Sequence, residues 1–150
     1  MKLIAHRGNI NGKTSYENHP DYIKEAITEG FDVEIDVWVK GRDIYLGHDE
    51  PEYTTSFGFL SEHKDNLWCH AKNYEALSYL NMYRLHAFWH ENDSFTLTNQ
   101  GVIWQYPDNE YYKDSIFLMP ELFDVDIDES KLKMVKGICS DYILKYKNLI

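Results

Sequence analysis

The feature that most constrains this chain is an acidic stripe on one predicted strand, within the sequence FDVEIDVWV at residues 31–39. Valine, isoleucine and tryptophan favour a β-strand. Successive side chains of a strand point to opposite faces, so Asp32, Glu34 and Asp36 share one face and apolar residues occupy the other. Like charges repel one another, and a buried charge is costly unless it is paired or coordinated. The stripe therefore lies either on a solvated edge strand or beside a cation.

The composition predicts one folded domain spanning residues 1–150. Hydrophobic residues make up 43% of the chain and aromatic residues 15%, which is far from a disordered composition. The formal net charge of -10 argues against nucleic acid or an anionic membrane as the main partner, because both attract cationic surfaces. A small phosphorylated ligand held by a few basic side chains is still compatible with this charge.

The cysteines and the lack of long apolar runs indicate the environment of the protein. Cys69 and Cys139 lie in apolar strand-like segments without metal-binding spacing, so we expect reduced core residues. No segment approaches the roughly 18 to 20 apolar residues that a membrane-spanning helix needs. The opening sequence MKLIAHRG has no apolar run of signal-peptide length. These features predict a cytoplasmic protein without a membrane span.

Short apolar strands alternate with helices or loops along the chain. Strands are predicted at residues 2–6, 32–39, 67–71, 85–90, 94–98, 101–106, 115–119 and 136–140, with an antiparallel arm at 44–49 that returns from the second strand. Helices are predicted at 17–30, 73–83 and 128–135, the last with Asp128 as its N-cap, while 50–65 reads mainly as a loop and 141–150 as an amphipathic tail.

This alternation predicts an α/β fold with a parallel sheet and right-handed crossovers. Apart from the arm, the predicted strands can close as a compact (β/α)8 TIM-like barrel. Such barrels usually have about 200 or more residues. In a chain of 150 residues, several helices must therefore be shortened or missing. An open α/β sheet is the alternative architecture.

Polar side chains accumulate at the carboxyl ends of the predicted strands, where α/β barrels build their sites. They are His6, Arg7, Glu34, Asp36, His48, Asp49, His70, Lys72, His90, Glu91, Glu121 and Asp141. A hard divalent cation such as Mg²⁺ or Ca²⁺ takes oxygen ligands and would cancel the repulsion between Glu34 and Asp36. Glu121 and Asp141 are candidates to complete its shell, whereas Asp32 lies nearer the other rim and is expected to be structural or to partner a helix end.

Four ordered motifs carry a resemblance to a known family: IAHRGN at residues 4–9, ENHPDYIKEAITEG at 17–30, DVEIDV at 32–37 and DIYLGHD at 43–49. In this order they resemble the glycerophosphodiester phosphodiesterase (GDPD) family, TIM-barrel enzymes of the phospholipase C-like superfamily. The match is close over residues 3–53 and looser over the rest of the chain. The resemblance implies a phosphoric diester hydrolase of lipid metabolism that cleaves a phosphodiester next to glycerol or a related alcohol.

The resemblance gives several strand-end residues their expected roles. His6 and His48 would be the acid/base pair, and Arg7 and Lys72 would bind the phosphate oxygens. The reaction needs these residue types, because cations neutralise the charge that develops on the phosphodiester, and one imidazole accepts a proton while another donates one. The attacking group would be water or a hydroxyl group of the substrate.

The resemblance also implies a divalent metal ion, held here by Glu34, Asp36 and His70. His70 stands where the family has a glutamate as third carboxylate ligand, and an imidazole suits Mn²⁺ or Zn²⁺ better than Ca²⁺. Mg²⁺ is the expected ion, with Ca²⁺, Mn²⁺ and Zn²⁺ as alternatives. Glu17 would be a ligand or an organiser of the site, and Asp49 would support it.

Other interpretations of the same residues stay open. A catalytically weak or inactive barrel that binds a phosphorylated metabolite is the alternative, favoured by the replaced carboxylate and the short chain. A related reaction on a sugar- or nucleotide-linked phosphodiester is a third. Trp89, Trp104 and Tyr106 would either stack on a sugar or glycerol-like group or pack in the core or rim. Missing helices would expose apolar flanks, which favours a homodimer.

Overall fold

Ten strands and five α-helices make up the described part of the chain, which is residues 1–106, 112–123 and 129–149 of the computed structural model. The strands are β1 (Lys2–His6), β2 (Asp32–Lys40), β3 (Asp43–Leu46), β4 (Tyr53–Thr55), β5 (Leu67–Ala71), β6 (Ala87–Phe88), β7 (Phe95–Leu97), β8 (Ile103–Gln105), β9 (Ser115–Leu118) and β10 (Gly137–Ser140). The helices are α1 (Pro20–Thr28), α2 (Phe57–Glu62), α3 (Tyr74–Met82), α4 (Glu129–Leu132) and α5 (Ile143–Lys147), with a 3-10 turn at Pro120–Phe123.

The strands form one curled sheet. Seven parallel strands follow the order β6–β5–β2–β1–β10–β9–β8, and β7 pairs with β8 in the antiparallel direction. β2 continues beyond its parallel neighbours and pairs with antiparallel β3, which in turn pairs with antiparallel β4. The arm predicted at 44–49 is therefore present, as an extension of the sheet that ends at the loop carrying His48.

The predicted closed (β/α)8 TIM-like barrel is wrong. The sheet curls into a half-barrel of mixed strands, and no ladder joins β6 to β7 within the described residues. The lengths of the connections explain the difference. Residues 98–102 between β7 and β8 are too few for a parallel crossover, which needs about a dozen residues or more, so β7 runs antiparallel to β8. Residues 89–94 between β6 and β7 contain no helix either.

Isolated hydrogen bonds, mostly from side chains, bridge the seam between β6 and the β7–β8 hairpin in place of a strand ladder. Asn99 Nδ2 donates to Leu85 O at 2.8 Å, and Asn99 Oδ1 accepts from Ala87 N at 2.9 Å. Thr96 Oγ1 donates to Trp89 O at 2.7 Å. These hydrogen bonds therefore stabilise the curvature of the sheet at this seam.

The two faces of β2 determine the layers of the molecule. Val33, Ile35 and Val37 are fully buried and belong to the apolar cluster that includes side chains of α1 and α3. The opposite face carries the acidic stripe and turns to the inside of the curl. A second apolar cluster, which includes Trp68 and Trp104, fills part of that inside. The acidic stripe thus shares its face with buried aromatic rings.

Several predicted elements have different bounds in the structure. α1 begins at Pro20, later than predicted, and His19 is its N-cap. The segment 50–65, predicted mainly as a loop, contains β4 and α2. α4 begins at Glu129, and the predicted N-cap Asp128 lies outside the described residues.

The predicted reduced cysteines are confirmed, since Cys69 and Cys139 are both free and buried. They lie on β5 and β10, where neighbouring strands cover them. Among the described residues, no helix combines the length and the apolarity that crossing a bilayer requires.

Candidate functional site

The carboxyl ends of the parallel strands open into a cavity of about 540 Å³. Its polar half is lined by His6, Arg7, Lys13, Glu34, His48, His70 and Lys72. Its apolar half is lined by Phe88, Trp89, Trp104, Tyr106, Leu118, Met119 and Leu122, together with His90 and the exposed Glu91. Glu17 and Asp49 line a second cavity that shares Arg7 and His48 with the first. Most of the predicted site residues therefore meet at one end of the sheet.

Glu34 and His70 of the polar half form, together with the fully buried Asp36, the centre of the candidate site. Each offers one ligand atom, and these atoms lie within 4.8 Å of one another. The parallel register of β2 and β5 places Asp36 beside His70. Glu34 is 3% exposed and Asp36 is 0% exposed, yet Glu34 Oε2 and Asp36 Oδ1 accept no hydrogen bond. These two oxygens have only ion-pair contacts, from His6 Nε2 to Glu34 Oε2 and from His70 Nδ1 and Lys72 Nζ to Asp36 Oδ1. Buried carboxylate oxygens without hydrogen bonds are costly, and a divalent cation would fit this position.

The orientation of the His70 ring supports the same conclusion. His70 Nε2 lies 3.1 Å from the carbonyl oxygen of His90, and because a carbonyl only accepts, Nε2 carries the proton. Nδ1 faces two carboxylates, at 3.2 Å from Asp36 Oδ1 and 3.9 Å from Glu34 Oε1. In a neutral imidazole Nδ1 would present a lone pair to these oxygens. The arrangement therefore calls for a cation at Nδ1, either a proton or a metal ion.

The two carboxylates of the centre differ in their electrostatics. Burial raises the pKa of Glu34, and the neighbouring charge of Asp36 raises it further. Burial also opposes the ionisation of Asp36, but His70, Arg7 and Lys72 hold its pKa well below the usual range. The cations of the protein therefore compensate for Asp36 and leave Glu34 without enough positive charge.

Arg7 and Lys72 lie on either side of Asp36. Arg7 Nε is 2.9 Å from Asp36 Oδ2, but its N–H is not directed at that oxygen, so the contact is an ion pair rather than a hydrogen bond. Lys72 Nζ is 3.5 Å from Asp36 Oδ1. Arg7 Nη1 donates to Glu17 Oε2 at 3.1 Å. Both cations also line the cavity, and phosphate binding stays a prediction for them.

His6 is held by a carboxylate that the sequence analysis assigned to a different role. His6 Nδ1 lies 2.7 Å from Asp141 Oδ1, which also accepts from Asn9 Nδ2 at 2.8 Å. Burial opposes protonation of His6, but Asp141 and then Glu34 raise its pKa above the ordinary value. The geometry places the proton on Nδ1 and directs Nε2 toward Glu34, with Oε2 at 3.8 Å.

His48 is the exposed member of the predicted histidine pair. It follows β3 in a loop, and its Nδ1 lies 2.8 Å from Asp49 Oδ1, with 44% of the His48 side chain exposed. Partial burial lowers its pKa, and the positive charge of Arg7 lowers it further. His6 and His48 thus line one cavity in different surroundings, one buried and carboxylate-bound and one open to solvent.

Two asparagines of the site were not predicted. Asn18 Nδ2 donates to Asp36 Oδ2 at 2.9 Å, and Asp36 N donates to Asn18 Oδ1 at the same distance. Asn9 Nδ2 donates to Glu17 Oε1 at 2.8 Å as well as to Asp141. Both amides are almost fully buried. The only available signal was their place in the HRGN and EN motifs, since an amide carries no charge pattern.

The remaining strand-end carboxylates lie outside the Glu34–Asp36–His70 centre. Glu121 accepts from Ser140 Oγ at 3.0 Å and from Asp141 N at 2.9 Å, so it supports the loop that holds Asp141. Asp32 accepts from Trp68 Nε1 at 3.0 Å, and a structural role for this carboxylate stays a prediction. Neither Glu121 nor Asp141 joins the group of ligand atoms found among the described residues.

Comparisons of the chain with protein-family models, with curated proteins and with solved structures found no match.

Proposed function

We propose that this protein is a metal-dependent phosphodiesterase of the GDPD type, acting on a glycerophosphodiester-like substrate. The observation that supports the proposal is the pair of buried oxygens that accept no hydrogen bond, Glu34 Oε2 and Asp36 Oδ1, within reach of His70 Nδ1. Arg7, Lys72, His6 and His48 surround this position in one cavity. The motif order of the sequence supports the same assignment.

Glu34, Asp36 and His70 would hold the divalent ion. Two carboxylates suit Mg²⁺, the expected ion, while the imidazole ligand favours Mn²⁺ or Zn²⁺ over Ca²⁺. The proton of His70 on Nε2, held by the His90 carbonyl, leaves Nδ1 free to ligate. When bound, such an ion supplies Lewis-acid stabilisation of charge on the phosphoryl oxygens.

The protein's own groups would perform the proton transfers. Arg7 and Lys72 bind the non-bridging oxygens and orient the phosphorus atom. One imidazole of the His6–His48 pair takes the proton from the attacking hydroxyl as its oxygen bonds to phosphorus, and the other protonates the departing alkoxide. The products are an alcohol and a phosphomonoester, or a cyclic phosphate if the attacking hydroxyl belongs to the substrate. Asp141 positions His6 by fixing its tautomer.

A second candidate is a protein that binds a phosphorylated metabolite without turnover. The observation that favours it is the contact of His70 Nδ1 with Asp36 Oδ1 at 3.2 Å, which a proton satisfies as well as a metal ion does. A protonated His70, with Arg7 and Lys72, would make a cationic pocket for phosphate without any metal.

A hydrolysis assay separates the two candidates. Purified protein would be given bis(p-nitrophenyl) phosphate or glycerophosphocholine with Mg²⁺, Ca²⁺, Mn²⁺, Zn²⁺ or EDTA. We expect turnover that requires a metal, disappears in His6→Ala, and persists in His63→Ala, a control histidine outside the lining of the cavity. Circular dichroism would check that both variants are folded. No turnover with any metal, together with measurable binding of glycerol phosphate, would favour the second candidate.

A further inference from the structure

We propose that the substrate carries an uncharged aromatic or heteroaromatic ring on one alcohol of its phosphodiester, and that the apolar half of the cavity binds this ring. The inference rests on the proposed function for the phosphate end of the site. It extends that function by giving the chemical class of the organic group, which the phosphate-binding residues do not specify.

The floor of the apolar half is a stack of rings that begins at the metal centre. His70 and Phe88 stack with centroids 5.1 Å apart and planes inclined by 8°. Phe88 and Trp104 stack next, at 4.5 Å and 25°. The stack leads from a candidate metal ligand into the apolar half, so a group attached to a phosphate on the metal centre would extend over it.

A second pair of rings lies above this floor. His90 follows Phe88 by two residues and Tyr106 follows Trp104 by two, beyond the ends of β6 and β8, and both side chains line the cavity. The His90 and Tyr106 rings contact each other, with centroids 4.9 Å apart. Tyr106 is 43% exposed, so part of its ring is available for stacking. The aromatic walls thus continue from the floor to the rim.

His90 brings unused hydrogen-bonding capacity to this apolar wall. Both of its ring nitrogens are buried and neither has a hydrogen-bond partner among the described residues. Buried nitrogens of this kind normally have a hydrogen-bond partner, and here an atom of the ligand would be that partner. A ring with one or two polar atoms, such as a phenol or a nitrogen heterocycle, meets this requirement.

The ring geometry favours an uncharged ring over a quaternary ammonium group. A cation binds to ring faces, but Phe88 stacks against both His70 and Trp104, and Trp104 also contacts the Trp68 ring. Ring edges carry partial positive charge, which attracts the face of another ring and repels a cation. Arg7, Lys13 and Lys72 line the same cavity with Glu34 and Glu91, so the lining carries no excess of negative charge that would attract a cation.

Binding of four phosphate monoesters would test the proposal. Benzyl phosphate, glycerol 3-phosphate, choline phosphate and cyclohexylmethyl phosphate share the phosphate anchor and differ in the organic group. Calorimetry with Mg²⁺ present should show benzyl phosphate binding about tenfold more tightly than glycerol 3-phosphate, from burial and stacking of one ring. Benzyl phosphate should also bind more tightly than the non-aromatic cyclohexylmethyl ester, and choline phosphate no more tightly than glycerol 3-phosphate.

Two variants test which residue causes the preference for benzyl phosphate. Tyr106→Leu keeps the apolar character and removes the ring, so it should reduce most of the benzyl preference and leave the affinity for glycerol 3-phosphate unchanged. Tyr74→Leu removes a tyrosine that is 76% exposed on α3 and should change neither affinity.

Several results would overturn the proposal: equal binding of benzyl and glycerol phosphates, tightest binding of choline phosphate, an unchanged preference in Tyr106→Leu, or no binding of any ester. Turnover is measured separately in the metal-supplemented assay. A protein that hydrolyses phosphodiesters but shows no ring preference retains the proposed function and loses this inference. A protein that prefers the ring but shows no turnover retains this inference and loses the proposed function.

Discussion

At the scale of single residues, the acidic stripe separates into carboxylates with different partners. Asp32 is bound by Trp68 Nε1 at 3.0 Å and by Lys2 Nζ at 2.7 Å, so its charge is compensated by the chain itself. Glu34 and Asp36 each retain a buried oxygen without a hydrogen bond. All three lie on one strand face, so their neighbours decide their roles. The unsatisfied atoms therefore distinguish a candidate ligand from a structural carboxylate.

The Glu34→Gln substitution tests this distinction through opposite effects on stability and metal binding. It keeps the shape of a side chain that is 3% exposed and removes its buried charge. Without metal, the variant should be more stable than the parent protein by about 1 to 2 kcal/mol, because an undercompensated buried charge is lost. Its metal affinity should fall by about 100-fold, since one ligand is replaced by a neutral amide.

Thermal unfolding in EDTA and calorimetric titration with Mn²⁺ would measure the two effects of Glu34→Gln. Glu25→Gln is a control, because Glu25 is exposed on α1 and lies outside the Glu34–Asp36–His70 centre. A Glu34→Gln protein that is less stable in EDTA and binds metal normally would show that Glu34 is structural.

A pH dependence of the stability is expected from His86, which is not part of the Glu34–Asp36–His70 centre. Burial lowers its pKa to about 4 from the ordinary 6.5, with Asp32 acting in the opposite direction. Thr98 Oγ1 accepts from Val102 N, so its own hydrogen is available to His86 Nε2 at 2.9 Å, a bond that a neutral ring accepts. Between pH 6.5 and 4, His86 of the unfolded chain binds a proton that His86 of the folded protein does not. The free energy of unfolding therefore falls as the pH falls, by up to about 3 kcal/mol.

Urea unfolding at several pH values would measure this dependence. His86→Gln should flatten the decline between pH 6.5 and 4, whatever its effect on stability at pH 7, because the titrating ring is gone. The Trp68 ring lies 4.1 Å from the His86 ring and gives a local fluorescence signal. An equally steep decline in the variant would assign the pH dependence to other groups.

The residue pattern made part of the site predictable. Glu34 and Asp36 could be found because strand alternation and like charge together demand a partner. The pairing of His6 with Asp141 could not, since it depends on the register of β1 against β10 at opposite ends of the chain. Asp141 was expected at the correct strand end but in the metal shell. Sequence alone placed it near the site without showing which neighbour it would contact.

At the scale of elements, the loop after β3 depends on Gly47. This residue has φ +153°, and a Cβ atom there would collide with Glu50 O. Gly47 O also accepts from Trp38 Nε1 at 2.7 Å, which ties the loop to β2. Gly47→Ala should therefore move the loop and the adjacent His48. We expect a loss of about 2 kcal/mol or more in stability and a loss of most of the proposed phosphodiesterase activity.

Gly41→Ala is the matched control for the loop. Gly41 has φ +64° in the β2–β3 turn, but a Cβ atom there meets open space. Its substitution should cost only about 1 to 2 kcal/mol of left-handed strain and leave kcat unchanged. Chemical denaturation and steady-state kinetics would measure both variants. Equal kcat values for the two variants would show that the loop geometry is not needed for turnover.

The elements also show why local prediction gave the wrong architecture. The turn at 99–101 correctly predicted two neighbouring strands, now β7 and β8. A connection of that length makes an antiparallel hairpin, and an antiparallel strand does not fit the all-parallel order of a (β/α)8 barrel. Each element could be predicted from its own residues, whereas ring closure depends on every connection having enough residues for a crossover. The arm at 44–49 was predictable because its turn is local.

At the scale of the whole molecule, charge is distributed unevenly. The chain has a formal net charge of -10, yet Arg7, Lys13 and Lys72 gather at one cavity. An acidic exterior slows the approach of an anionic substrate, and this effect weakens as salt is added. The outer side of the β7–β8 hairpin exposes Phe95, Leu97 and Ile103. The homodimer that such flanks favour stays a prediction.

The integrity of the half-barrel as a whole depends on the seam beside β6. Asn99 makes two side-chain hydrogen bonds to backbone atoms of Leu85 and Ala87, and its backbone N–H donates to Ala87 O at 2.9 Å. Because Asn99 is exposed, water competes for these bonds. Asn99→Ala should therefore reduce the free energy of unfolding by only about 1 to 2 kcal/mol. Its larger effect should be local opening of β6, where Ala87 N–H loses its acceptor.

Amide hydrogen exchange would detect that opening. In Asn99→Ala, exchange at Ala87 should accelerate far more than exchange at Ile35 on the central strand β2, because only the seam is released. Gln100→Ala, at the next exposed position, should leave both rates near those of the parent protein. If β6 and β2 instead accelerate together, the seam and the sheet unfold as one unit. Phe88, the residue of the aromatic floor that lies on β6, would then be held in place by the whole sheet rather than by the hydrogen bonds of Asn99.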